Sequence, residues 1–580
     1  MRSLLALLAV LQASCVIAQV PAEPVVRFEA LRHPVYSTTG MVTARSSIAA
    51  EVGAQVLAAG GNAVDAAVAV GFSLAVVLPR AGNIGGGGFM LVYDSESGQT
   101  TVIDYREQAP RTAHRDMFLD TNGDADPQLS RYSHKSVGVP GTVAGLHLAH
   151  QKFGRLPWDR LVQPAIELAR DGIDITHALQ SSLARRRDRM CQHEATCGYF
   201  YKQGGVPYEM GERLIQSDLA DTLQLVADQG PDAFYRGAIA EKIVAEMELG
   251  GGLIDKQSLA AYRPVLREPL RGEYRGYEIV TMPPPSSGGV HIIQMLNVLE
   301  HFPVASLGWG GADGIHLLAE VMRLAYADRS KHLGDPDFYR VPVEWLTSKE
   351  YGIELAASID MTQARPSSDV APGVAPVPES PDTTHFSIFD REGNVVSNTY
   401  TLNLSYGSAI SVRGAGFLLN NEMDDFVSKP GVPNAYGLLG DKANSIEATK
   451  RPLSSMTPTI VFADGEPWFA TGSPGGSRII TAVLQTIVNV IDHGMNIADA
   501  SGQPRMHHQW YPDVLLLEPG FSPDTTRLLK ERGHDVRLNR GRLGTVQIAG
   551  YKDGTFRGAA DPRMPNSGSA APAEIIATDE

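Results

Sequence analysis

The feature that most constrains the fold is an abrupt change in composition at Thr383. Upstream of it, five prolines fall within a span of 16 residues among small polar residues: Pro366, Pro372, Pro376, Pro378 and Pro381. Such a stretch buries too little apolar surface to order itself, which predicts a mobile linker over residues 366–382. Beyond it, residues 385–389 and 395–402 have strand composition, and residues 391–394 form a typical turn. A flexible segment therefore leads directly into a core hairpin, where a cut between Asp382 and Thr383 is plausible.

Cleavage at this point would give Thr383 a free α-amino group beside its own hydroxyl. An α-amine has a pKa of about 7.7–8.0 and can act as a base near neutral pH. Nucleophile and base would then belong to one residue, as in acyl-transfer enzymes with an N-terminal threonine. The alternative is that Thr383 and Thr384 are simply two hydroxyl residues on the edge of a strand.

Composition restricts the class of protein. The 580 residues suffice for two to four average domains, or for one large two-layer enzyme with insertions. Apolar residues make up 43% and charged residues 20%, as in soluble globular proteins. The formal net charge of −15 disfavours nucleic acid or an anionic membrane as the main partner, because both repel a negatively charged surface.

Residues 1–18 have the pattern of an export signal. Arg2 precedes the apolar run 4–11, and small or neutral residues at 16–18 precede a cut before Gln19. A membrane anchor is the alternative, but the run is shorter than the roughly 20 residues that a span needs. Lipidation of Cys15 is a further alternative, disfavoured by Gln12. The sequence therefore predicts a periplasmic or secreted protein without a membrane anchor.

Two cysteines remain in the exported chain, Cys191 and Cys197. Their spacing of six residues predicts a local disulfide in an oxidising compartment, with two unpaired thiols as the alternative. The adjacent pair His507 and His508 has no third ligand at a usable spacing and is interpreted as structural. We expect neither a metal nor a cofactor.

Helices and strands are distributed unevenly along the chain. The patterns predict a helix through residues 48–56 and a helix over 63–77 that is apolar on all sides and therefore buried. Strands are predicted near 89–93 and 101–105, mostly helices from 140 to 350, and mostly strands after 383, interrupted by a helix over 477–492. This order favours an α+β layered fold over alternating βαβ units.

Four polar segments are candidates for chemistry, and each has an ordinary alternative. The run 472–478 leads from a strand through glycines into a helix and can present N–H groups to an oxyanion, or it is only a turn. The loop 451–456 offers two adjacent hydroxyls, or is an ordinary turn. The acidic run 420–426 can hold an ammonium group, or is a solvated loop. Arg106 follows a strand and pairs locally by default. The serine-hydrolase elbow and the zinc-protease HExxH motif are both absent from the sequence.

Together these segments resemble the γ-glutamyltranspeptidase (glutathione hydrolase) family over residues 40–563. The resemblance runs through residues 61–66, 81–90, 104–107, 282–289, 383–385, 451–456 and 472–478. It implies an N-terminal-nucleophile fold, a four-layer αββα sandwich of two stacked sheets between helical layers. It also implies self-cleavage into a heterodimer of a large subunit, 19–382, and a small catalytic subunit, 383–580.

The resemblance further implies a role for each candidate residue. Thr383 would be the nucleophile for its own cleavage and for transfer of a γ-glutamyl group from small-molecule donors to water, amino acids or dipeptides. Thr401 would orient it, and Gly475 and Gly476 would supply oxyanion N–H groups. The other residues would bind the donor. Its α-carboxylate would be bound by Arg106, Ser454 and Ser455, and its α-ammonium by Asp425, Glu422 and Asn403. A lid over the donor would contain Tyr436.

Two alternatives to this function remain. One is a cephalosporin (glutaryl) acylase of the same fold, disfavoured by the lid and by Asp425, because a glutaryl donor lacks the α-amine. The other is an inactive exported relative that binds glutamyl peptides, disfavoured by the retention of Thr383 with every donor ligand.

Overall fold

The computed structural model describes residues 30–371 and 383–573, except residues 430, 433 and 436. The predicted signal 1–18, the linker residues 372–382 with Asp382, and Tyr436 lie outside the described residues. Along the described part of the chain, no helix combines the length and the apolar character needed to cross a bilayer.

Most of the described residues belong to regular elements. The strands are β1 Val35–Ser37, β2 Gly40–Ala44, β3 Gly87–Asp94, β4 Gln99–Tyr105, β5 Ile173–Asp174, β6 Arg213–Leu214, β7 Val265–Arg267, β8 Leu270–Tyr274, β9 Tyr277–Thr281, β10 Thr384–Asp390, β11 Val395–Thr401, β12 Thr459–Ala463, β13 Glu466–Gly472, β14 Met506–His507, β15 Leu515–Leu517, β16 Val536–Leu538, β17 Gln547–Lys552, β18 Thr555–Ala560 and β19 Gly568–Ala570. The α-helices are α1 Ser47–Ala58, α2 Ala63–Val77, α3 Pro127–Tyr132, α4 Thr142–Phe153, α5 Trp158–Asp171, α6 His177–Met190, α7 Glu194–Phe200, α8 Ser217–Gln229, α9 Pro231–Tyr235, α10 Ala238–Gly250, α11 Lys256–Ala261, α12 Gly288–Leu299, α13 Ala312–His332, α14 Val343–Leu346, α15 Lys349–Ala357, α16 Arg478–Ile491, α17 Ile497–Gly502 and α18 Pro523–Glu531.

Two seven-stranded sheets are stacked face to face. One has the order β1-β18-β17-β13-β12-β9-β8 and the other β19-β2-β10-β11-β3-β4-β7. Hydroxyl groups of the second sheet donate to carbonyl oxygens of the first, as from Ser397 to Thr471 at 3.2 Å. Helices α1 and α2 share a core with one face of the second sheet, and α12 and α16 share a core with the first. The predicted four-layer αββα sandwich is therefore confirmed.

Helix α2 shows how local sequence leads to this packing. The side chain of Asn62 accepts from the backbone N–H groups of Val64 and Asp65, both at 3.0 Å, and Asp65 accepts in return from the N–H of Asn62. This reciprocal cap satisfies the free N–H groups at the start of a helix. All residues of α2 except Val77 are buried, which confirms the prediction of a helix buried on all sides.

A disulfide joins Cys191 to Cys197, as their spacing predicted. The Cα atoms lie 4.4 Å apart, and the bond links the end of α6 to α7.

The prediction of a mobile linker from residue 366 onward was wrong for its first part. Ser367 is buried in a 3-10 turn, donates from its Oγ to the carbonyl of Trp510 at 2.7 Å, and accepts from Arg323 at 2.7 Å. Tertiary hydrogen bonds order this stretch despite its composition.

The fold buries several histidines, which makes its stability sensitive to acid. Burial lowers the pKa to about 3 in four of them and to about 4 in a fifth: His291, His385, His507 and His534, and His508. In the unfolded chain a histidine has a pKa of about 6.5, so below that pH the unfolded state binds protons that the folded state excludes. The stability that these groups contribute is therefore present above pH 6.5 and is lost as the pH falls.

We expect the free energy of unfolding to decrease by about 1 kcal/mol for each of these histidines between pH 7 and 5.5. Buried carboxyl groups act in the opposite direction, because burial raises the pKa of Asp561 to about 6 and also raises the pKa values of Glu107 and Glu422. They offset part of the loss, so the test compares the wild type with His507→Gln by urea unfolding at the two pH values. The variant should lose about 1 kcal/mol less stability than the wild type between them; an equal loss in both proteins would show that this histidine is not held neutral.

Candidate active site

The register of the central hairpin places two threonines opposite each other. Strands β10 and β11 pair antiparallel with Thr384 opposite Tyr400, which sets Thr383 opposite Thr401. Their hydroxyl oxygens lie 3.4 Å apart, and only 3% of Thr383 is exposed. The oxygen of Thr401 accepts from the backbone N–H of Asn403 at 2.8 Å. Its own hydroxyl hydrogen can therefore point to Thr383.

Most of the predicted site residues line a single cavity. These are Arg106, Thr383, Thr401, Asn403, Glu422, Asp425, Ser454, Ser455 and Gly476. They come from six separate stretches of the chain, on both sides of residue 383. Gly475 lines a neighbouring pocket instead, with Arg45 and Gly544.

Arg106 lies at the centre of a buried charge cluster. Its guanidinium donates to Glu422 and, at 2.5 Å, to Asp425, and its Nε donates to the carbonyl of Pro452 at 3.2 Å. The carboxylate of Glu107, which is fully buried, lies 3.7 Å from the same guanidinium. One cation therefore faces three carboxyl groups.

Burial determines the protonation of this cluster. It raises the pKa of Glu107, Glu422 and Asp425, and the positive charge of Arg106 opposes the rise at each. Burial alone would lower the pKa of Arg106, but the carboxylates raise it. The arrangement offers one fixed positive charge and an excess of acidic groups, which suits a ligand that carries both a carboxylate and an ammonium group.

The two serines are held by backbone pairing to a distant segment. The N–H of Ser454 donates to the carbonyl of Pro285, and the N–H of Ser287 donates to the carbonyl of Ser454, both at 2.8 Å. The Oγ of Ser454 accepts from the N–H of Met456 at 3.0 Å. Its hydroxyl hydrogen therefore remains available for a ligand in the cavity.

The glycine turn before α16 adopts conformations that favour glycine. Gly475 has φ 142° and Gly476 has φ 58°, both in the region that L side chains rarely adopt. Helix α16 begins two residues later, at Arg478. Gly476 and Ile479 line the same cavity as Thr383, so the start of this helix lies at the cavity.

The histidines and the candidate metal ligands lie outside this cavity. His507 contacts Thr481 at 2.9 Å and Gln509 at 2.8 Å, in agreement with a structural role. Among the described residues, one group could hold a metal ion: His316, Glu320 and His534. The two imidazoles lie 2.8 Å apart in a hydrogen bond, and Glu320 pairs with the guanidinium of Arg323 at 3.1 Å. Its members therefore have partners without an ion.

Sequence reasoning missed two residues of the site, one in the charge cluster around Arg106 and one in the lining of the cavity. Glu107 is adjacent to Arg106 in the recognised motif and could have been included on that ground. Arg329 lines the cavity from α13, and its Nη2 donates to the Oγ of Ser455 at 3.1 Å. No sequence pattern predicts the contact between Arg329 and Ser455, because it arises from the packing of α13 in the tertiary structure.

Comparisons with known proteins agree with this geometry. A family model described as Gamma-glutamyltranspeptidase matches residues 49–571. The glutathione hydrolase proenzyme of Escherichia coli (strain K12) is 51% identical over 563 residues, covering 96% of this chain and 97% of the relative. The Acylase ACY 1 proenzyme of Pseudomonas sp. (strain SE83) is 40% identical over 550 residues, covering 94% of this chain and 95% of the relative.

A solved structure shows the same architecture. The cephalosporin acylase from Bacillus halodurans superimposes with a TM-score of 0.82 at 28% identity, covering 94% of this chain and 98% of the other. The resemblance seen in the sequence motifs thus extends over nearly all of the described residues. This chain belongs to the γ-glutamyltranspeptidase family.

Proposed function

We propose that this protein is a self-processing γ-glutamyl transferase and glutathione hydrolase. The observation that carries the proposal is the cavity in which the Thr383 hydroxyl lies with Arg106, Asp425 and two serine hydroxyls. These groups match the α-carboxylate and the α-ammonium of a γ-glutamyl donor. The names of the similar proenzymes agree with this assignment.

The first step in the proposal is cleavage of the precursor before Thr383. The Oγ of Thr383 attacks the carbonyl carbon of residue 382, and the peptide bond becomes an ester. Water hydrolyses the ester, which restores the hydroxyl and leaves Thr383 with a free α-amine. The products are a large subunit of residues 19–382 and a small subunit of residues 383–580, each the partner of the other.

Turnover repeats the same chemistry on the donor. The Thr383 α-amine takes the hydroxyl proton while Oγ attacks the γ-carbonyl carbon, and the leaving amine takes up a proton as the C–N bond breaks. The N–H groups of Gly475 and Gly476 stabilise the oxyanion. Water or the amine of an amino acid or dipeptide then takes the γ-glutamyl group from the ester.

The donor is oriented by charge. Arg106, Ser454 and Ser455 bind its α-carboxylate, because a planar guanidinium and two hydroxyl donors match its oxygens. Asp425, Glu422 and Asn403 bind its α-ammonium. Thr401 orients the nucleophile, and Tyr436 closes over the bound donor. A donor zwitterion thus replaces part of the internal pairing of Arg106 with Glu422 and Asp425.

A second candidate function is a glutaryl acylase. It is favoured by the similarity to Acylase ACY 1 and to the cephalosporin acylase. The acidic groups around Arg106 oppose it, because a glutaryl donor has no ammonium group to pair with them.

The proposal includes the cellular location and partners. The signal at residues 1–18 directs the chain to the periplasm or the medium, without a membrane anchor. Its ligands are small-molecule γ-glutamyl donors and amino acid or dipeptide acceptors, and nucleic acid is not among them.

The test compares two anilide donors that differ only in the α-amine. We expect purified protein to release the chromophore from a γ-glutamyl anilide at least 100-fold faster than from the glutaryl anilide, because a buried charged partner would otherwise remain unpaired. A dipeptide acceptor should raise the rate, and glutathione should compete. Faster turnover of the glutaryl anilide would establish the acylase instead, and a single uncut band without turnover would establish the inactive relative.

A further inference from the structure

Arg329 is a second buried guanidinium at the cavity, and none of the roles above includes it. It lies in the last turn of α13, with 5% of its surface exposed, and it lines the same cavity as Thr383 and Arg106. A buried arginine requires partners, because an uncompensated charge away from water is costly. The groups that Arg329 contacts therefore indicate its role in the cavity.

The guanidinium of Arg329 links two serines that belong to different segments. Its Nε donates to the Oγ of Ser287 at 2.9 Å, and its Nη2 donates to the Oγ of Ser455 at 3.1 Å. Ser287 in turn donates from its Oγ to the carbonyl of Ser454 at 2.8 Å. Helix α13, the start of α12 and the serine loop are thus joined at one point.

These contacts determine where the serine hydroxyls can point. A guanidinium only donates, so the oxygen of Ser455 accepts from Arg329 and its own hydrogen must be directed elsewhere. The same holds for the hydroxyl hydrogen of Ser454, because the oxygen of Ser454 accepts from the backbone N–H of Met456. Both serines line the cavity, so both hydroxyls are able to donate to a ligand there, and a pair of donors recognises an anion.

The positive charge of Arg329 also favours the binding of a carboxylate in the cavity. Arg106 by itself faces the three carboxyl groups of Glu107, Glu422 and Asp425, an excess of acidic groups where an α-carboxylate is to bind. Burial raises the pKa of Asp425, and the positive charge of Arg329, like that of Arg106, opposes this rise. Its positive charge reduces the repulsion that a bound carboxylate would experience.

We propose that Arg329 is a positioning residue that orients the Ser455 hydroxyl toward the donor's α-carboxylate, and so contributes to selection of donors that carry this group. The inference rests on the function proposed above. It assigns to the large subunit a second arginine that acts on the donor through a serine of the small subunit.

A double-mutant cycle tests this coupling. Arg329→Gln and Ser455→Ala should each lower kcat/KM for the γ-glutamyl anilide by about 10- to 100-fold, mainly through KM, as for one lost hydrogen bond to a charged group. The double variant should lose no more than the worse single variant, because both changes remove one interaction. Losses that multiply would show that Arg329 does not act through Ser455.

Two further variants separate positioning from a general structural role. Lys331→Gln removes a charge from the exposed side of the same helical turn and should leave KM unchanged. Arg329→Lys keeps the charge but cannot bridge both serines, so it should recover part of the lost affinity. If Arg329→Gln does not fold, Arg329→Lys replaces it in the double-mutant cycle with Ser455→Ala.

The outcomes distinguish this inference from the function on which it rests. Absence of turnover by the wild-type protein would overturn the proposed function before any variant is compared. Normal turnover by the wild type, with unchanged KM in both Arg329 variants or with multiplying losses, would overturn the role of Arg329 alone.

Discussion

The Thr383→Ala variant is expected to remain a single uncut chain and to release no product from a γ-glutamyl anilide. Removing the hydroxyl removes the nucleophile for processing and for turnover at once, since both steps use the same oxygen. The loss should reach the detection limit, on the order of 10⁴-fold or more, as for removal of other catalytic nucleophiles. Denaturing gels and anilide turnover measure the two effects separately.

The matched control is Thr383→Ser, which keeps the hydroxyl and loses only a methyl group. It should process and turn over substrate, and mass spectrometry should find a fragment that begins at residue 383. Thr383 is almost fully buried beside Thr401, so the small methyl change leaves the pairing of β10 with β11 in place. Active material with no chain starting at residue 383 would contradict the mechanism.

The second large effect is expected from Arg106→Gln, which should lower both activity and stability. Two charged hydrogen bonds to the donor carboxylate are lost, which corresponds to about 10²- to 10³-fold in kcat/KM. The buried carboxyl groups of Glu422 and Asp425 lose their cation, which should lower the free energy of unfolding by about 3–5 kcal/mol.

The stability loss should depend on pH in a defined direction. Without Arg106 the pKa values of Glu107, Glu422 and Asp425 in the folded protein rise further above those in the unfolded chain. Groups with raised pKa contribute stability at low pH and lose it as the pH increases. The difference in urea midpoint between wild type and Arg106→Gln should therefore be larger at pH 8 than at pH 5.5.

Two variants serve as controls for Arg106. Arg111→Gln removes an exposed guanidinium a few residues away and should change neither property. Adding Glu422→Gln to Arg106→Gln replaces a buried carboxyl group by a neutral amide and should recover part of the stability but not the activity. A loss independent of pH would show that the carboxyl groups are not the cause.

Local elements of the fold followed from local sequence. The apolar run 63–77, which ends before Pro79, predicted α2 with its observed bounds. The composition after residue 383 predicted the hairpin of β10 and β11. These predictions succeeded because capping, burial of a continuous apolar run and turn formation depend on residues close in the chain. The linker prediction failed at Ser367 because its partners, Arg323 and Trp510, are distant in sequence.

What the sequence determined by itself was the inventory of the site: a threonine at a change in composition, an arginine after a strand, an acidic run, paired serines and a glycine turn. Their meeting in one cavity was decided only by the tertiary structure, since the stacking of two sheets sets the distances between segments hundreds of residues apart. Glu107 as a third carboxyl group and Arg329 as the partner of Ser455 belong to this second category. The state of a buried charge depends on every element packed around it, and no local pattern encodes that environment.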